Sequence, residues 1–167
     1  EQAGTYKLPE AQLDRFLIKT SIGYPDLAAT EAILADVTTR DRSSLIGELI
    51  TTQALADMAD LVAGVHIDPT VLRYTAQLAE ETRSDPSARV GVSVRGTMAI
   101  LRAAKVWAAA DGRTFVLPDD VKALAQPAWH HRIVLDPEAE FRGVTGETIV
   151  ERVLASVPAP QARQAVA

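Results

Sequence analysis

Between Ser93 and Gly112 the chain reads SVRGTMAILRAAKVWAAADG, with Ile100, Leu101, Ala104, Trp107 and Ala108 at helical spacing. That apolar stripe predicts a helix from about Ser93 to Asp111, with Gly112 free to take the left-handed cap. A one-sided helix has to bury its stripe against other elements, and the rest of the chain offers mostly helices. Pro25 and Asp26 suit a helix start, with Leu27, Leu34 and Val37 following. A helix near 53–63 breaks at Gly64, while the mixed residues 40–52 read as a loop. Asp68 before Pro69 gives a side-chain cap and then a residue needing no N–H, opening a helix through Leu72, Thr75, Leu78 and Ala79. SDPSARVG at 84–91 reads as a loop. Pro118 with Asp119 and Asp120 opens another helix that Pro127 is expected to close. The last helix, about 145–156, lines up Ile149, Val153, Leu154 and Val157, and VPAPQARQAVA reads as a tail.

One segment departs from this period. FLIKTSI at 16–22 follows a turn (Gly4 to Pro9) and a short helix, and it alternates in the manner of a strand. No partner strand follows. A lone strand leaves its ladder groups unpaired, so its sheet is expected outside this chain.

Composition narrows the functional classes. The 167 residues, 47% of them hydrophobic, suffice for one ordinary core. A net charge of -5 argues against a general nucleic-acid binder. Without cysteine there is neither disulfide nor thiolate metal site. No apolar run approaches the roughly 20 residues that span a bilayer. EQAGTYKLPE is not a signal peptide, and with no initiator Met the chain reads as a fragment of a cytoplasmic protein.

Several motifs fail. Gly91 and Gly96 have the separation of a phosphate loop, but Thr97 stands where GxxxxGK[ST] needs its Lys, and no strand precedes them. IVLD at 133–136 reads as a surface turn before Pro137. His66, His130 and His131 lack partners at ligand spacing and read as surface or packing residues, so no metal site is expected. Two arginines hold more interest. In LPEAQLDRF, at 8–16, Arg15 ends a short helix directly before an apolar segment, a rigid edge from which a guanidinium can meet a neighbour's phosphate. An Arg that solvates a helix end and complements its dipole has the same spacing. With Ser93 as N-cap, Arg95 falls in a first helical turn, where a cation costs about 0.3–1 kcal/mol against the dipole. A nearby anion would restore the balance, although isolated charges at helix starts are also common.

In order, GTYKLPEAQLDRFLIKTSIGYPD (4–26), VHIDPTVLRYTAQLAEETR (65–83), GVSVRGTMAILRAAKVWAAADGRTFVLPDDVKALA (91–125) and HHRIVLDPEAEFRG (130–143) resemble the MoxR type of AAA+ ATPase. The resemblance implies a mainly α chain: a helical-bundle lid subdomain preceded by a short helix and one strand left over from the α/β core. It divides the chain into the end of the core (1–24), connecting helices (25–64), the lid (65–157) and a flexible tail (158–167). It matches Arg15 to the catalytic arginine finger that reaches a neighbouring subunit's ATP, and Arg95 to the nucleotide-sensing arginine at the head of a lid helix. Where such proteins usually read G-A-S-P-R-A, this chain has Val92, Val94 and Gly96. The loops that bind ATP and Mg lie upstream in the family and have no counterpart here. The implied parent is therefore an ATP- and Mg-dependent, ring-forming, chaperone-like ATPase whose partners carry a von Willebrand factor A domain. This chain alone is expected to be inactive, with no tightly bound cofactor. A stand-alone helical adaptor, or a related ATPase such as a magnesium-chelatase subunit or a replicative helicase, is the alternative.

Overall fold

The computed structural model describes residues 9–35 and 47–160, and the chain divides into two compact units. The smaller, Thr20–Leu61, holds α2 (Leu27–Ala35) and most of α3 (Thr52–Ala63). The Asp26 carboxylate caps α2 by accepting from the Ala29 N–H at 2.7 Å, and Thr51 caps α3 through the Ala54 N–H at 3.0 Å. Neither helix has a buried residue, and Leu27, Leu34, Leu55 and Leu61 are all exposed. The expected loop at 40–52 lies mostly outside the described residues.

The larger unit takes the described residues 9–19 and 62–160. After the short α1 (Glu10–Leu13) its body consists of α4 (Pro69–Ser84), α5 (Val94–Ala110), α6 (Pro118–Trp129), α7 (Pro137–Phe141) and α8 (Gly146–Ser156). α4 starts where Asp68 and Pro69 predict, with the Asp68 carboxylate accepting from the Thr70 N–H at 2.8 Å. It buries Val71, Tyr74, Thr75, Leu78, Ala79 and Thr82, one face at helical spacing. α5 buries Gly96, Ala99, Ile100, Ala104 and Ala108, mostly small residues that let α6 pack closely. α6 brings Val121, Leu124, Ala125, Ala128 and Trp129 to the same core, and α8 brings Ile149, Val150 and Val153. At the head of α6 the buried Asp120 accepts from the Leu117 N–H at 2.8 Å. It also takes a two-pronged pair from Arg113, at 2.7 and 2.8 Å, and that pair holds the Arg113 charge well above its ordinary range.

Four local expectations change. Residues 16–22 form no strand among the described residues. The alternation is present but no neighbouring strand is, so Ile22 is fully exposed and the Lys19 N–H goes to the Pro127 carbonyl at 2.8 Å. A two-stranded antiparallel sheet appears elsewhere: β1 (Ala88–Val90) pairs with β2 (Val134–Leu135). Their segments, 84–91 and 133–136, had read as loop and turn, because two or three residues are too few to show a period. α6 also runs through Pro127 to Trp129 rather than ending there. The helix is held beyond its proline by tertiary contacts: the Trp129 indole N–H donates to the Gly96 carbonyl at 3.0 Å, and its ring is wholly buried.

Candidate functional site

Packing between α4 and the start of α5 fixes the site. The Val92 N–H donates to the Thr82 hydroxyl at 2.9 Å, and the Arg83 Nε donates to the Val92 carbonyl at 2.8 Å. A Cβ on Gly91 would lie 2.6 Å from the Arg83 backbone. That glycine therefore serves close chain approach, not a phosphate loop. Next to it, the Ser93 hydroxyl caps α5 by accepting from the Gly96 N–H at 3.1 Å, as expected, which puts Arg95 in the first turn.

α1 leads directly into the turn that carries Arg15. The Arg15 N–H donates to the Gln12 carbonyl at 3.1 Å, and the Phe16 N–H donates to that of Leu13 at 3.1 Å. Asp14, one residue earlier, ties this turn to the helices. Its carboxylate pairs with the Arg132 Nη1 at 2.8 Å and accepts from the Ser93 hydroxyl at 3.0 and 3.2 Å. Arg132 sits in the 3₁₀ turn His130–Arg132 that follows α6, and its side chain is 1% exposed. Its Nε donates to the Ala128 carbonyl at 2.7 Å, and its Nη2 donates to the Phe16 and Leu17 carbonyls. One guanidinium thus binds the Arg15 turn to α6, while one carboxylate binds that turn to the cap of the helix bearing Arg95.

Arg15 and Arg95 consequently line a single open cleft of about 440 Å³, together with Asp14, Leu17, Met98, Ala99, Arg102 and Arg132. The charges in it are uneven. Asp14 and Arg132 satisfy each other, whereas Arg15, Arg95 and Arg102 are exposed and make no ion pair recorded among the described residues. Arg95 also faces the positive end of its own helix. A cleft with three uncompensated guanidinium groups suits an anion with several negative oxygens. It has no free carboxylate for a metal among the described residues.

His131, expected to be a surface or packing residue, lies behind this network. Its Nε2 is 3.4 Å from the Phe16 carbonyl, and its buried Nδ1 has no hydrogen-bond partner. Burial pushes its pKa below the ordinary histidine value, against the pull of the Phe16 carbonyl, because a second N–H would have no acceptor. His130 meets Gln126 and Glu147 instead. Asp14, Arg102 and Arg132 escaped the sequence reading. Arg102 had a visible signal, standing two helical turns after Arg95. Asp14 and Arg132 had none, since their partners are remote in sequence.

An AAA lid domain family model matches residues 80–153. The chain is 38% identical to the protein YeaC of Bacillus subtilis (strain 168) over 99% of its own length and 52% of that protein. It is 32% identical to Protein MoxR of Paracoccus denitrificans over 97% of its length and 54% of that protein. The crystal structure described as that of a putative ATPase from Cytophaga hutchinsonii superposes with a TM-score of 0.85 at 29% identity, covering 96% of this chain and 52% of that one. The chain thus spans about half the length of the relatives it matches.

Proposed function

Since the chain belongs with the MoxR-type AAA+ ATPases, we propose that it supplies an ATP hydrolase with its lid and with two arginines, Arg15 acting on a nucleotide held by an adjoining subunit and Arg95 sensing nucleotide through the lid. The observation that carries this reading is the shared cleft: Arg15 and Arg95 come from distant parts of the sequence and line the same space. The 167 residues contain no GxxxxGK[ST] run, so the phosphates would be cradled by another surface and offered to this one. Arg15 then stabilises the charge that develops on the transferring phosphoryl group. Arg95, lining the same cleft, senses nucleotide through the lid. Bound Mg would neutralise phosphate charge. Its ligands would come from the phosphate-cradling side, because Asp14 is already bonded to Arg132 and Ser93.

On this reading residues 1–24 end the nucleotide-binding core, 25–64 connect, 65–157 form the lid and 158–167 a tail. The isolated chain offers ATP only a weak anion contact and does not hydrolyse it. The full-length protein is a cytoplasmic ring that remodels clients bearing a von Willebrand factor A domain. Steady-state kinetics of that protein tests the arginines. Arg15→Ala should lower kcat by roughly 10³–10⁵ with little change in nucleotide affinity, the behaviour of a group that meets charge only in the transition state. Arg95→Ala should weaken affinity as well as turnover. A fully active Arg15→Ala enzyme would remove Arg15 from the catalytic set.

A further inference from the structure

We infer that Arg102 is a third phosphate contact, making the cleft selective for a chain of phosphates over a single one; this rests on the cleft's nucleotide-facing role. Arg102 follows Arg95 by seven residues on α5, two turns along the same face and about 10 Å along the axis. Met98 and Ala99 lie between them and line the cleft without offering a counter-charge. Among the described residues the one carboxylate lining the cleft, Asp14, is held by Arg132 and Ser93. Arg102 is exposed and has no ion pair recorded among the described residues. It shares the cleft with Arg15 and Arg95, which likewise make no ion pair among the described residues.

Spacing decides the kind of anion. A single phosphate is filled by one or two guanidinium forks. A third cation two turns away then has nothing to bind and only repels the other two. A polyphosphate spreads its charge along the cleft, so Arg102 reads a phosphate beyond the one met by Arg95.

Titrating this chain with orthophosphate and with inorganic tripolyphosphate, followed by NMR at low salt, tests the inference. Tripolyphosphate should bind more tightly than orthophosphate. Arg102→Ala should weaken tripolyphosphate binding about tenfold, the size of one charge-assisted contact, and orthophosphate binding less than about twofold. Arg95→Ala should weaken both. Arg142→Ala is the control for bulk charge, since Arg142 lies outside the cleft and pairs with Glu138 at 3.2 Å; it should change neither, and all variants should melt alike. Unchanged tripolyphosphate binding in Arg102→Ala, or an equal loss in Arg142→Ala, would overturn the assignment. Selective loss in Arg102→Ala alongside full turnover in the full-length Arg15→Ala enzyme would keep the polyphosphate site and discard the catalytic role of Arg15.

Discussion

Arg132 directs its guanidinium at Asp14 and at the carbonyls of Ala128, Phe16 and Leu17, almost out of contact with water. Losing it removes the counter-charge of Asp14, which keeps only the Ser93 hydroxyl, and strips one donor from each of those carbonyls, Phe16 keeping its contact with His131. Losing Asp14 alone leaves Arg132 with its carbonyl partners. Arg132→Ala should therefore destabilise the larger unit by about 3 kcal/mol, as for other broken buried pairs, and Asp14→Ala by about 1–2 kcal/mol. Chemical denaturation checks the order; equal losses would show that the carbonyl bonds contribute nothing. The same side chain accounts for a glycine in the first turn of α5. A Cβ on Gly96 would stand 2.9 Å from both the Arg132 Cδ and the Val92 Cγ1. Gly96 thus leaves the space that Arg132 and Val92 fill. At this scale Arg15 and Arg95 could be read from helix ends, which obey local rules. Arg132 and Asp14 could not, because a pair that closes 118 residues of chain leaves no local pattern.

Elements were legible where a start signal met a long period. Asp68–Pro69 and Ser93 both cap the helices they predict. Pro127 misled because a proline removes only its own N–H, and Trp129 beyond it is fixed by the Gly96 carbonyl. The alternation at 16–22 meets no ladder among the described residues, since period is a property of a segment and a strand is a property of a pair. Hydrogen exchange should grade these elements. Amides of α4, α5, α6 and α8, with buried faces, should be the most protected, and those of α2 and α3, which bury nothing, should exchange much faster. The Lys19 amide should stand above its neighbours at 20–26 through its bond to the Pro127 carbonyl. Uniform protection from 20 to 61 would show that α2 and α3 are stabilised by burial this account lacks.

At the scale of the whole molecule, Arg15, Arg95 and Arg102 line one cleft, and on the proposed reading a nucleotide held by another subunit meets Arg15 there. Mixed rings of the full-length protein test that claim most directly. Subunits carrying Arg15→Ala are combined with subunits whose phosphate loop is inactivated and whose Arg15 is intact. Each kind is inactive alone. Turnover should return in the mixture, because the intact Arg15 of one subunit serves the ATP held by the next. Rings shown to be mixed that stay inactive would contradict the account.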